Sequence, residues 1–283
     1  LNKRLRIAAI SFLNPAPLMW DFEHLPLQQQ LGSRYELQWM LPSECADRLA
    51  SGQAEIGLIP IAALAKHPQL EILPGCTIAS KKRVRSLLLV RRADQPIESL
   101  LSVAADTASR TTVTYARILM HKWGNPDVPF LPMAADLDTM LAKADAAIVI
   151  GDPAMMALEE EANRRERTGE ELIYHDLAEE WTTLSRLPFV SAVWATAPGI
   201  SQIPGLAEDF IASRDHGLKQ IDALSREWSA KMRLTEESIA SYLTENIHYQ
   251  LDSDCIAGIR RFFVEAEATG ALPHYDFIPP AIL

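Results

Sequence analysis

Cysteine is scarce: Cys45, Cys76 and Cys255 are the only three in 283 residues. They are too scattered for a disulfide framework or a zinc cluster, so a reducing compartment fits best. Long apolar runs are missing too. No stretch approaches the ~18 uninterrupted apolar residues of a membrane span. The opening Leu1-Asn2-Lys3-Arg4-Leu5-Arg6 runs straight into a strand-like Ile7–Ile10, with neither the apolar region nor the cleavage site of a signal peptide. Basic charge is in deficit, with 27 Lys plus Arg against 37 Asp plus Glu and a formal net charge of -10. Such a chain is poorly equipped to neutralise nucleic-acid phosphates. G-x-x-x-x-G-K-[ST], G-x-G-x-x-G and G-x-S-x-G are all absent. The seven histidines show no HExxH spacing, no carboxylate completes a metal triad, and His24, His67 and His175 read as surface or capping residues. The expectation is a soluble cytoplasmic protein without metal, cofactor, nucleic-acid partner or membrane segment.

What is present is a regular rhythm. Hydrophobic residues make up 48% of the chain, ample for one large or two ordinary domains. Short apolar runs at 6–10, 36–40 and 55–60 alternate with helical segments at 15–22, 43–52 and 61–66. Runs of this kind, bounded by turns, predict strands buried on both faces in an α/β architecture. A second series follows: strands at 86–90, 102–105, 128–131 and 146–150, with helices at 110–123 and 137–143. The charge-rich 159–171 stretch reads as a solvated helix face and loop. Another apolar run at 189–196 returns the chain to the first sheet, and helices alone are expected beyond it, at 205–228, 238–248 and 254–268. Two crossings, near 84–92 and 187–196, imply two lobes that close by hinge bending over a ligand. The division falls at 1–85 plus 190–283 against 86–189; a single continuous sheet is the other arrangement the pattern allows.

In open α/β sheets ligands bind beyond the carboxyl ends of strands, near helix N-termini. Three junctions qualify. Ser11-Phe12-Leu13-Asn14-Pro15 offers Asn14 as an N-cap with Pro15 at the first helical position. Asp106-Thr107-Ala108-Ser109-Arg110-Thr111-Thr112 gathers hydroxyls, backbone N–H groups and a guanidinium, a natural seat for a carboxylate or phosphate, although a plain Ser/Thr cap with an exposed Arg fits equally. Gly151-Asp152-Pro153 leaves a strand tightly, and Asp152 either caps the next helix or points into the cleft. Six cations (Lys81, Lys82, Arg83, Arg85, Arg91 and Arg92) lie in twelve residues. They either attract a small anion or are ordinary solvated charges flanking a strand. Ser86, opening the run Leu87–Val90, is a polar group that needs a partner if buried.

The chain resembles the chorismate dehydratase family of the futalosine route to menaquinone. The resemblance rests on Ile10-Ser-Phe-Leu-Asn14 with Pro17-Leu18, Gly57-Leu-Ile-Pro60, Ile78-Ala-Ser80 and Val84-Arg-Ser-Leu87. It continues with Asp106-Thr107, Ser109-Arg-Thr-Thr112, Asp145-Ala-Ala-Ile-Val-Ile-Gly-Asp152, Asp176-Leu177, Glu180-Trp181 and Leu187-Pro-Phe-Val190 with Trp194. Residues 81–83 are Lys-Lys-Arg, where many members resemble Asp-Gly-Pro. The resemblance implies a two-lobed, periplasmic-binding-protein-like (type II) α/β fold with C-terminal helices. It implies loss of water from chorismate to give 3-[(1-carboxyvinyl)oxy]benzoate, without a cofactor. It places Ser86 and Asn14 at the reacting centre and makes Ser109, Arg110, Thr111 and Thr112 the seat of a carboxylate. Ser11, Arg85, Thr107 and Gly151 complete the expected substrate-binding set. Either a substrate carboxylate or Asp152 takes the proton.

Three other readings compete. A non-catalytic small-anion solute-binding protein shares the fold class. The sister enzyme making 1,4-dihydroxy-6-naphthoate typically opens with a Ser-Pro-Cys-Pro-Asn-like motif, where this chain has Ser-Phe-Leu-Asn. An effector-sensing domain of a regulator would be preceded by a basic DNA-binding region.

Overall fold

A computed structural model describes residues 4–281. Strands β1 (Leu5–Ile10), β2 (Tyr35–Met40), β3 (Ile56–Pro60) and β4 (Glu71–Ser80) enter a first sheet. A second sheet takes β5 (Leu87–Arg92), β6 (Val103–Asp106), β7 (Phe130–Met133), β8 (Ala146–Ile150) and β9 (Leu172–Asp176). Then β10 (Phe189–Thr196) and β11 (His248–Gln250) rejoin the first. The strand orders are β11-β4-β10-β3-β1-β2 and β7-β6-β8-β5-β9. Two sheets in two lobes therefore replace the continuous-sheet alternative. β1 runs parallel to β2 and β3, β6 parallel to β7 and β8, while β10 and β5 run antiparallel to their neighbours.

Local chemistry explains the elements that position the cleft. β3 and β8 are buried at every residue, which is why they read as unbroken apolar runs rather than alternating ones. The helix Pro42–Ala50 starts with proline, and Glu44 accepts the Leu41 N–H at 2.9 Å. Asp176 caps the helix Leu177–Ser185 by accepting from Ala178 and Glu179. Its second oxygen accepts the N–H groups of Val84 (2.9 Å) and Arg85 (2.6 Å), so one buried carboxylate pins the first crossing between the lobes. Arg85 there sits at φ +67°.

One apolar cluster runs through both sheets, joining Ile7, Leu58 and Val193 to Leu89, Val103 and Ile148. At its junction Tyr115 stacks on Phe189 with centroids 3.8 Å apart, and Trp181 meets Tyr115 edge-on at 4.8 Å. The Tyr115 hydroxyl bridges the backbone N–H and carbonyl of Val190. The lobes thus share a packed aromatic core at this junction.

Several expectations are corrected. β4 adds a strand to those the pattern predicts: Pro74 and Gly75 sit inside its ten residues, with Gly75 at φ +95° where the β4–β10 register is irregular. β9 was hidden behind the charged stretch, in which Glu161–Thr168 is helical and Arg164 is buried against Asp138 and Glu170. The segment 205–228 is two helices, Leu206–Gly217 and Ile221–Met232. They break where Gly217 packs on Pro17, whose carbonyl oxygen would lie 2.1 Å from an added Cβ. The helix expected at 238–248 is Glu236–Ser241 followed by a π-helical turn, Tyr242–Asn246, and then β11. The helix expected at 15–22 is a 3₁₀ turn, Ala16–Met19, and one α turn, Trp20–Glu23.

Candidate functional site

The carboxyl ends of β1, β3, β6 and β8 converge on one cavity between the lobes. Its walls include Phe12 and Asn14 after β1, Pro60 ending β3, Ser109–Thr112 after β6, and Ile150–Gly151 after β8. The cavity measures about 40 Å³, against the ~300–1,000 Å³ of ordinary ligand pockets. Phe12 accounts for part of that. Its ring lies over Gly151, where an added Cβ would fall 2.7 Å from the ring carbons, and the glycine is at φ +64°. A ring-bearing ligand therefore enters only if Phe12 turns away or the lobes part.

Three of the polar contacts between the lobes involve residues on or beside this cavity. Asp152 accepts the N–H of Leu13 at 3.0 Å. Thr111 Oγ1 accepts the N–H of Ala62 at 3.2 Å. Arg110 reaches both oxygens of Asp47, at 2.7 and 2.8 Å. A neutral contact such as Thr111–Ala62 stabilises by ~1 kcal/mol, one to the Asp152 carboxylate by about 1.5–3 kcal/mol, and an exposed ion pair by less, so a bound ligand can exchange them.

The electrostatics favour an anion. The helix Arg110–Lys122 directs its N-terminus at the cavity, where the first backbone N–H groups lack intrahelical partners. Ser109 occupies the N-cap position without using its side chain as a cap, and Ser109, Thr111 and Thr112 are all buried on the cavity wall. Opposite them, the Asn14 Oδ1 is buried with no hydrogen-bond partner. The expected capping role of Asn14 is not realised, because Pro15 takes the N-cap position of the 3₁₀ turn; its amide is available to a ligand. Asp152 is likewise no cap. Burial pushes its carboxyl up to about 6, despite the Leu13 N–H.

Other expected residues sit off the cavity wall. Ser86 is buried and accepts a hydrogen bond from the Tyr242 hydroxyl at 2.8 Å; its carbonyl accepts the Gly151 N–H at 2.8 Å. It therefore stands beside two wall residues, Leu87 and Gly151, without itself being exposed there. Arg85 reaches Glu159 and Ser238 instead of the cleft. Ser11 is exposed and spends its N–H and hydroxyl on the Met40 carbonyl. Thr107 is exposed, its N–H bonded to the Met133 carbonyl.

None of the six clustered cations lines the cavity. Lys81 pairs with Asp252, Arg83 lies 3.8 Å from Asp176, Arg91 contacts His175 and the Gln95 carbonyl, and Arg92 contacts Glu170. Two residues escaped the sequence reading. Tyr242 comes from the C-terminal helices, and nothing local marks it. Ser191 lines the cavity at an irregularity in β10, between Val190 and Ala192, a device that re-aims a side chain. A larger hollow of about 890 Å³ lies between Leu70–Ile72 and Tyr275–Pro280; it presents the carboxylates of Glu71 and Asp276 with His274 and, among the described residues, no α-helix N-terminus. Among the described residues no helix is long and apolar enough to cross a membrane.

Comparison with known proteins follows the same lines. Residues 5–268 match the sequence profile of a family described as menaquinone biosynthesis. A chorismate dehydratase of Thermus thermophilus is 26% identical over 238 residues, covering 81% of this chain and 85% of that protein. Among solved structures, an Archaeoglobus fulgidus protein superimposes with a TM-score of 0.70 at 14% identity, covering 95% of this chain and 98% of the other. The periplasmic aliphatic sulphonate binding protein of Escherichia coli gives 0.66 at 15% identity, covering 100% and 94%. A Candida albicans protein described as exhibiting the generic periplasmic binding protein structural fold gives 0.64 at 15% identity, covering 97% and 92%. The fold is periplasmic-binding-protein-like.

Proposed function

The chain belongs to the menaquinone-biosynthesis family, and from that premise we propose that it is a chorismate dehydratase, a hydro-lyase that converts chorismate to 3-[(1-carboxyvinyl)oxy]benzoate and water. One observation carries the reading. The buried hydroxyls at a helix N-terminus face the unpartnered Asn14 carbonyl across a cleft that can shut out water. Chorismate is a dicarboxylate bearing a ring hydroxyl, and those are the groups such a cleft receives.

The chemistry asks little of the protein beyond placement. A proton leaves one ring carbon, the C–O bond on its neighbour breaks, and the departing hydroxyl gains a proton to become water. Aromatisation supplies the driving force. Ser109, Arg110, Thr111 and Thr112 hold a carboxylate once Arg110 exchanges Asp47 for it. Asn14 and Ser86 hydrogen-bond the departing hydroxyl or the enolpyruvyl group. Orientation and dryness supply the rate.

A substrate carboxylate takes the proton. Asp152 is the second reading, favoured by its carboxyl lying near 6, where a group exchanges protons readily at neutral pH. We place the lobe boundary at 85/86 and 189/190, and the protein in the cytoplasm, in keeping with three buried free cysteines. The test is incubation of the purified protein with chorismate while aromatic product is followed by absorbance and mass. Product formation supports the dehydratase; tight chorismate binding without product in any condition assigns the cleft to a receptor.

A further inference from the structure

We propose that Tyr242 is a positioning residue that aims the hydroxyl of Ser86. The inference rests on the dehydratase reading and concerns a residue outside its expected site. Tyr242 is 1% exposed and Ser86 is 1% exposed. Their hydroxyls lie 2.8 Å apart, and among the described residues each side chain has the other as its sole hydrogen-bond partner.

A phenol is a stronger acid than an aliphatic alcohol, so the phenol donates and the serine accepts. That direction leaves the Ser86 proton without a protein acceptor. The proton is free to turn toward the cleft wall at Gly151, whose N–H is already held by the Ser86 carbonyl at 2.8 Å. A serine whose rotor is fixed by an incoming bond is a better donor to a departing hydroxyl than one that must first choose its direction. Burial holds the phenol well above its ordinary titration range, so it remains a donor at every working pH. Tyr242 is delivered by the π-helical turn Tyr242–Asn246, which ends the helix Glu236–Ser241 before β11; π-helical turns are frequent at functional sites. It also lies within electrostatic reach of Asp152.

The test compares wild type, Tyr242→Phe, Ser86→Ala and the double variant for chorismate turnover. The expected result is a fall in kcat of about tenfold or more in Tyr242→Phe, with KM within about twofold. The double variant should be no slower than Ser86→Ala alone, since Tyr242 acts only through the Ser86 hydroxyl. Wild-type kcat in Tyr242→Phe, or losses that multiply in the double variant, overturns the proposal. If wild type does not turn over chorismate, the reaction assignment fails and the pair is judged by proton NMR. A slowly exchanging phenolic proton absent in Tyr242→Phe and displaced in Ser86→Ala supports the contact. A resonance unmoved in Ser86→Ala refutes it.

Discussion

Asp152, on the second lobe, accepts the backbone N–H of Leu13, on the first, at 3.0 Å. One carboxylate thus serves as a clasp across the cleft while being held, by burial, at about 6. The folded state binds the Asp152 proton more tightly than an unfolded chain, where the group titrates near ~3.9. The associated penalty is absent below pH ~4, grows as pH rises toward 6, and is fully present above it.

Asp152→Asn keeps an acceptor for Leu13 and removes the charge. The variant should gain on the order of 2 kcal/mol relative to wild type at pH 7 and little at pH 4. Urea titrations at the two pH values measure this; an equal gain at both contradicts the burial account. Turnover by the same variant separates the two proton acceptors. Retention of most of kcat supports the substrate carboxylate, and loss of most of it with binding intact identifies Asp152 as the base.

Asn14→Ala and Ser86→Ala should each slow turnover tenfold or more, ~1.4 kcal/mol or above of transition-state stabilisation. Stopped assays with mass detection suffice. Near-native kinetics in both removes them from the site.

The Arg110–Asp47 pair, partly exposed on both sides, contributes little to stability but competes with substrate. Asp47→Ala should leave the melting temperature almost unchanged and lower KM, because Arg110 no longer has to release an internal carboxylate. Arg110→Ala should raise KM about tenfold, the order of a lost charged hydrogen bond. Steady-state kinetics decide, and an unchanged KM in Arg110→Ala excludes the guanidinium from binding.

Gly151→Ala places a methyl 2.7 Å from the Phe12 ring at a backbone φ of +64°. Destabilisation of ~1–3 kcal/mol is expected. Adding Phe12→Ala should restore part of it, since the clash disappears and only the backbone strain persists. Denaturant melts of the two single variants and the pair test this, and strictly additive losses rule out the contact.

The three junctions were legible because strand end, turn residue and helix start are adjacent in sequence, so their chemistry is local. Asn14, Ser109, Thr111, Thr112 and Gly151 all reach the cavity for that reason. The rest depended on distant partners. Nothing near Tyr242 marks it as the companion of Ser86, 156 positions away. The cations at 81–92 looked like a field for anions only while Asp252, Asp176 and Glu170 were unplaced. β4 was obscured by Pro74-Gly75, whose turn propensity is overridden by pairing with β10 and β11 on its two sides.

That arrangement of β4 bears on how the nascent chain matures on the ribosome. Both of its partners are translated only after the whole second sheet, which is contiguous from 87 to 176. The inserted lobe has all its strands while β4 still waits, with two bare edges, for β10 to slide between it and β3. A strand left open on both sides is exposed to pairing with another chain, and here that exposure falls in the lobe begun first and finished last.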